Sequence, residues 1–452
     1  MKPVQRFNLL YTIHKPLVCY GARCHYRTFT VKGRDNLPKD GGYMLAPCHQ
    51  QALMEPLAVL AVTHKPTVFL ARADIFANPT IRELLFFLKI MPVYRIRDGK
   101  ENLGKNAEIF EASRQVVLDG FPFCMMAEGR HNDKHQLLPL VKGMFRIAGE
   151  TQKSLGDTPL YIVPVGIDFD EYEEPFSNLC INIGKPIPVQ QYMATFVENE
   201  PVALNQMREA VADGIRRQMF DIRSREHYGE ILTVCDMTQR RTAWQRFEER
   251  QARAQRLDTM EAAADPQWEP LMDKVHQYQS LTRKHGVSTK VEARHYSLIA
   301  LLLSLIGVAA VVAGVAMCKP CLMAILFLLA CYPMAVLPTH LLMPKLIKDT
   351  QFRSSVNYGI RLFVSYLYTI VFALVMGFTG GGVWGDMLTG IAGVWWALAV
   401  VVAALVAARL SGVVTVWLRH TWRSLTYWTK RMLHGADFKS MRSLRKQITN
   451  AL

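Results

Sequence analysis

The sequence predicts an α/β catalytic domain, a mixed and largely parallel sheet flanked by helices, followed by a helical linker and a four-helix transmembrane region. Three observations predict it. Short apolar runs alternate with amphipathic helical patterns up to about residue 200, the signature of strands joined by helices. From there to residue 295 the chain turns helical and strongly charged. Near Tyr296 the composition shifts abruptly to long apolar segments. The expected parts are therefore 1–200, 201–295, 296–410 and a basic tail over 411–452, within the two or three domains that 452 residues accommodate.

At the start, the apolar residues between Phe7 and Tyr20 are interrupted by His14, Lys15 and Pro16. That layout fits neither a signal peptide nor a span, and the segment is expected to lie against the domain or the membrane surface. Candidate strands follow at Tyr43–Ala46, Val68–Ala71, Met91–Tyr94, Phe121–Met126, Leu160–Val165 and Leu179–Ile183. Helical patterns between them include Gln51–Val62, Thr80–Lys89 and Asn102–Leu118. In the linker, Arg240, Arg241, Arg246, Arg250, Arg253 and Arg256 are interleaved with Trp244, Phe247 and Leu257. Two readings are open there: a basic helix lying on anionic lipid headgroups, or a solvated helical linker packing on the catalytic domain.

Four long apolar segments, Tyr296–Cys318, Cys321–Pro344, Leu362–Trp384 and Met387–Ala408, each reach the ~20 residues that cross a bilayer as a helix. Lys345, Lys348, Arg353 and Arg361 mark the second connection, and the tail after Arg409 is rich in Lys and Arg. Positive residues stay on the cytoplasmic side, so the catalytic domain and both termini are expected there, on an integral membrane protein.

The net charge is +15, from 53 Lys+Arg against 38 Asp+Glu, which favours anionic partners such as phosphate groups, acidic carriers or membrane lipid. The basic residues are dispersed and no nucleic-acid-binding spacing occurs, so no nucleic-acid partner is expected. The nine cysteines show no disulfide-framework spacing. Cys318-Lys319-Pro320-Cys321 has a redox or metal form, but no second Cys/His pair accompanies it, and it reads as a tight loop.

The chemistry concentrates at strand exits. Past Tyr43–Ala46 comes Cys48-His49-Gln50-Gln51-Ala52-Leu53-Met54-Glu55-Pro56, where His49 is placed to take a proton and Glu55 to orient it. Pro92-Val93-Tyr94-Arg95 sets an arginine just beyond another strand, suited to a phosphate. Ala127-Glu128-Gly129-Arg130 follows the most apolar strand, and Lys142-Gly143 opens the next helix. Ile162-Val163-Pro164-Val165 carries a proline that a central strand seldom tolerates. A Gly-x-Ser-x-Gly elbow is missing, and His49, His131 and His135 have no settled zinc-ligand spacing, so neither a serine hydrolase nor a metal site is expected.

On these blocks the chain resembles the glycerolipid acyltransferase superfamily. His49 matches the family's histidine block, Arg95 its arginine block, Glu128-Gly129 its Pro-Glu-Gly block and Val163-Pro164-Val165 its Val-Pro-Val block, in the family's order. The resemblance spans about Thr28 to Pro188. It departs in two places: Met54 stands where the family has aspartate, and Ala127 where it has proline. A carboxylate one position later, followed by proline as in Glu55-Pro56, is similar to the fungal-type glycerol-3-phosphate and dihydroxyacetone-phosphate acyltransferases.

The resemblance implies acyl transfer, without a covalent enzyme intermediate, from an acyl thioester to a hydroxyl of glycerol 3-phosphate or a related phosphorylated glycerol. The donor would be acyl-coenzyme A or acyl-acyl carrier protein as co-substrate, with no other cofactor. His49 and Glu55 would be catalytic, and Arg95, Glu128, Gly129, Arg130 and Lys142 would bind substrate. Two alternatives stay open from the sequence: acylation of a different amphiphile such as an aminoacyl lipid, and a catalytically inert lipid-binding membrane protein.

Overall fold

The computed structural model describes residues 4–94, 106–172, 176–238, 242–290 and 419–452, with a few isolated positions besides. The chain forms two compact units, one comprising 1–23, 28–172 and 178–223, the other 24–27, 173–177 and 224–452.

The first unit is built on an eight-stranded sheet. In chain order the strands are β1 (Thr28–Lys32), β2 (Met44–Pro47), β3 (Val68–Arg72), β4 (Ile90–Val93), β5 (Phe123–Cys124), β6 (Tyr161–Phe169), β7 (Asn178–Ile183) and β8 (Ile187–Pro188). Their spatial order is β1-β7-β6-β2-β5-β3-β4, with β8 also pairing β6. All pairings are parallel except those of β6 with β7 and β8. This is the mixed, largely parallel sheet expected from the sequence, with strands such as β2 buried along their whole length, as sheets covered on both faces require.

Flanking helices are α1 (Leu9–His25), α2 (Met54–Val62), α3 (Pro79–Phe87), α4 (Asn106–Leu118), α5 (Gly143–Leu155), α6 (Met193–Glu198) and α7 (Glu200–Arg216). The start of α3 is written in its sequence: Asn78 accepts from the Thr80 and Ile81 amides, and Pro79 presets the first turn. Side chains from both layers fill the core, among them Met44, Phe123 and Ile167 from the sheet and Phe145 and Ile215 from the helices.

Strands β5 and β1 differ from their sequence expectation for identifiable reasons. Strand β5 is shorter than Phe121–Met126. Pro122 has no N–H to extend the ladder at one end, and the chain turns out of it at the other, where the Gly129 amide donates to the Met126 carbonyl. Helix α1 runs through Pro16 without a break. Tyr11 and Ala22 bury against the unit, and Lys15 Nζ reaches the carbonyls of Thr63, His64 and Lys65 at 2.9, 3.1 and 3.1 Å, capping the end of α2. Strand β1, unrecognised in the sequence, is a half-exposed edge that joins β7 in parallel.

Pro164 is tolerated inside β6 because of where its missing N–H falls. Its carbonyl accepts from Gly184, so the proline edge faces the gap in which β7 ends and β8 has not begun. Its ring packs so close to Gly184 and Gly214 that a Cβ on either would stand 2.9 Å from it.

The second unit is helical: α8 (Tyr228–Cys235), α9 (Ala243–Ala262), α10 (Trp268–Lys284) and α11 (Gly435–Asn450). Helix α9 is the arginine-rich segment, and Phe247, Leu257 and Arg250 are all buried, the last with its guanidinium 3.3 Å from Asp236. The apolar side chains of α9 are turned inward within this unit. Asp437 of α11 meets His285, just past α10, at 2.8 Å.

Among the described residues no helix is long and apolar enough to cross a membrane. The four transmembrane segments expected within 296–410 lie outside the described residues, so that part of the expected fold has no support from the structure.

Candidate active site

Strands β2 and β5 are parallel neighbours, so their carboxyl ends open side by side, the place where open α/β sheets present ligand-binding groups. His49 lies just past β2 and Glu128 just past β5. The Val163-Pro164-Val165 block supports the first of these from the other side of β2. Cys48 N donates to the Val165 carbonyl at 3.0 Å, and the Cys48 thiol is bracketed by the Ile167 main chain. The residue before His49 is thus locked into the sheet.

His49 Nδ1 and Glu55 Oε2 are 3.1 Å apart. Glu55 sits in the first turn of α2 with its side chain fully buried, whereas that of His49 is 13% exposed. The other oxygen of Glu55 accepts from the backbone amides of Gln50, at 2.6 Å, and Gln51. Negative charge at a helix start is favoured by the dipole, and three donors hold this carboxylate in one orientation. Met54, at the position where the resembled family has aspartate, is buried in the core instead. The turn 50–53 places the helix start so that the sixth residue after His49, not the fifth, faces the imidazole. His49 Nε2 makes no hydrogen bond among the described residues.

Glu128 is buried, and both its oxygens are occupied by main-chain amides, His49 N at 2.6 Å and Leu138 N at 2.8 Å. Burial lifts its carboxyl to about 8, against the lowering effect of those two donors and with the charges of Glu55 and Asp221 adding to the rise. In this geometry Glu128 ties the His49 loop to the loop before α5. Gly129 follows with φ +65°, and a side chain there would meet Val141 at 3.0 Å.

Arg130 and Lys142 are exposed and make no ion pair among the described residues, Lys142 at the start of α5. Arg95 lies outside the described residues. Tyr94, just before it, is pinned by Asn106, whose side chain exchanges hydrogen bonds with both the N–H and the carbonyl of Tyr94 at 3.0 and 2.8 Å.

The Arg130–His135 segment borders the site only in part. The His131 ring stands edge-on to His49 with centroids 5.3 Å apart. His135, however, is buried, stacked on Tyr172 and 3.5 Å from Asp168. Sequence reasoning missed the places of Tyr172, His135 and Asp168, because none belongs to a local pattern. Among the described residues no group of three or more His, Cys, Asp or Glu side chains is arranged to hold a metal ion.

A histidine held by a buried carboxylate through Nδ1, with Nε2 open, is an arrangement for removing a proton from a hydroxyl. The Cys48 thiol is unsuited to nucleophilic work, since burial pushes its pKa well above the ordinary thiol value.

Residues 28–168 match the protein-family model described as Acyltransferase, a span that contains all four sequence blocks. Among solved structures the chain is similar to the 1-acyl-sn-glycerophosphate (LPA) acyltransferase PlsC from Thermotoga maritima. The two are 18% identical over 46% of this chain and 80% of that one, with a TM-score of 0.33. No curated protein matches the chain.

Proposed function

We propose that residues 28–168, an acyltransferase domain of the glycerolipid acyltransferase superfamily, move a fatty acyl group from an acyl thioester to a hydroxyl of glycerol 3-phosphate or a related phosphorylated glycerol. The observation that carries the reading is the His49–Glu55 pair at the exit of β2. The acceptor hydroxyl gives its proton to His49 Nε2 as its oxygen attacks the thioester carbonyl carbon. The tetrahedral intermediate collapses with cleavage of the C–S bond, and the imidazolium returns the proton to the departing thiolate. Glu55 fixes the tautomer that leaves Nε2 free and stabilises the imidazolium, and a positioned base of this kind contributes roughly 10²–10⁴-fold.

Backbone N–H groups flanking Gly129, whose own amide donates to the Met126 carbonyl, serve the developing oxyanion. Arg130, Lys142 and Arg95 supply positive charge for the acceptor's phosphate. Glu128 acts by holding the His49 peptide rather than by touching substrate. The reaction calls for no metal or resident cofactor, and the donor is acyl-coenzyme A or acyl-acyl carrier protein.

The site works at a membrane in this reading. The apolar segments within 296–410 anchor the chain with both termini cytoplasmic, and Phe7, just before α1, with Leu9, Leu10 and Ile13 in its first turns, all exposed, suit the same surface. The test is to incubate membranes containing the protein with labelled acyl thioester and, separately, glycerol 3-phosphate, dihydroxyacetone phosphate and lysophosphatidate. Labelled product with one of these names the acceptor. No product with any of them from folded protein would overturn the phosphorylated-acceptor reading.

A further inference from the structure

The turn between His49 and α2 is held from both sides. From inside, the amides of Gln50 and Gln51 grip Glu55. From outside, one residue, Tyr172, grips both glutamine side chains. Its hydroxyl donates to Gln50 Oε1 at 2.7 Å, and its main-chain carbonyl accepts from Gln51 Nε2 at 2.6 Å. Both glutamines are 1% exposed. Gln50 Nε2 and Gln51 Oε1 have no hydrogen-bond partner among the described residues, so the orientation of each amide is set at Tyr172.

The hydroxyl of Tyr172 is itself fixed. His135 Nδ1 lies 2.9 Å from it, and the His135 ring is wedged between Tyr172 and Phe220, with centroids 4.9 and 4.7 Å away. A phenol has one proton to give. With that proton on Gln50 Oε1, His135 Nδ1–H must donate to the phenol oxygen, and Asp168, 3.5 Å from Nδ1, favours that tautomer. The bonds then run in one direction, from His135 through Tyr172 to Gln50, and the Gln50 peptide ends on the carboxylate that orients His49. Chains of hydrogen bonds aligned in this way reinforce one another.

We infer that Tyr172 is a positioning residue for the His49–Glu55 pair, its hydroxyl locked by His135 and Asp168 and acting through the Gln50–Gln51 turn. The inference rests on the reading of His49 as the base. Tyr172→Phe tests it, because the ring that stacks on His135 and the carbonyl that holds Gln51 remain while the hydroxyl goes. In the full-length protein, kcat, both KM values and the pH profile of kcat/KM are measured beside His49→Ala, Gln50→Met and the Tyr172→Phe/Gln50→Met double variant, with thermal melting as the check of folding.

The expected result is a fall in kcat of about 10- to 100-fold, the effect of a displaced catalytic group, with KM values within about twofold and a shifted acid limb of the pH profile. The double variant is expected to be no worse than the poorer single one, since both remove the same bond. An unchanged kcat and pH profile in folded Tyr172→Phe, with His49→Ala inactive, would overturn the positioning role alone. So would losses that multiply in the double variant. Unchanged turnover in His49→Ala would overturn the catalytic reading and the positioning role with it.

Discussion

Replacing Glu55 by glutamine separates its catalytic task from its structural one. Glutamine keeps the volume and one carbonyl oxygen, which continues to accept from Gln50 N and Gln51 N, now without charge. Each bond to a charged acceptor contributes about 1.5–3 kcal/mol and a neutral one about 0.5–1.5, so the two together lose about 2–3 kcal/mol. Relief from burying an ionised carboxylate offsets part of that, which leaves a net destabilisation of about 2 kcal/mol or less.

The catalytic effect is far larger. The new amide N–H₂ faces His49 Nδ1, at the 3.1 Å position of the former carboxylate oxygen, and Nδ1 must then accept. The ring proton moves to Nε2, the nitrogen that has to act as base, and a wrong tautomer of this kind costs about 10⁴ in kcat in serine-protease triads. Glu55→Ala leaves both backbone donors buried and unpaired at about 1–3 kcal/mol each, and is the variant expected to lose folded protein. Thiol release from the acyl thioester, measured at matched amounts of folded enzyme, reads the rate, and thermal melting reads the stability. A folded Glu55→Gln enzyme with kcat within about threefold of wild type would refute the orienting role.

Three other outcomes follow from the same geometry. Glu128 has its folded-state value raised to about 8 from the ordinary 4.5, so the native state holds the extra proton between those values and stability falls as pH rises through them. Relative to Glu128→Gln, wild type should lose about 2 kcal/mol between pH 5.5 and 7.5, a relative melting shift of ~4–8 °C, and parallel melting curves would contradict it. Cys48→Ala should keep kcat within about tenfold, since the buried thiol forms no covalent intermediate; an inactive folded variant, or an acyl group recovered on Cys48, would contradict this. Gly129→Ala, at φ +65° and 3.0 Å from Val141, should lower stability by about 1–3 kcal/mol, read as a lower melting temperature.

What was legible in the sequence is what local pattern encodes. The apolar runs at Tyr43–Ala46 and Val68–Ala71 are strands because short buried β-runs between turn signals have few other uses, and His49 and Glu128 stand out as polar groups at strand exits. Lys142-Gly143 does open a helix. Residue 55 rather than 54 is assigned to orient the histidine on chemistry, because methionine cannot do so, while the turn that makes it possible is held by Glu55 itself. Tyr172 and His135 were illegible for a different reason. Tyr172 meets the His49 loop at Gln50 across 122 residues, and His135 meets Tyr172 across 37, pairings that no local repeat marks. Pro16 sits inside a helix that Lys15 and Tyr11 hold to the unit, and Pro122 shortens a strand that its apolar neighbours suggested was longer.

The central claim is that His49 is the base of an acyl transfer. It is tested most directly by comparing wild type with His49→Ala, at matched folded amounts, for transfer of labelled acyl group from thioester to the best phosphorylated glycerol acceptor. Transfer by wild type and a loss of at least about 10²-fold in His49→Ala is the predicted result. Transfer that proceeds at the wild-type rate without the imidazole would contradict the account.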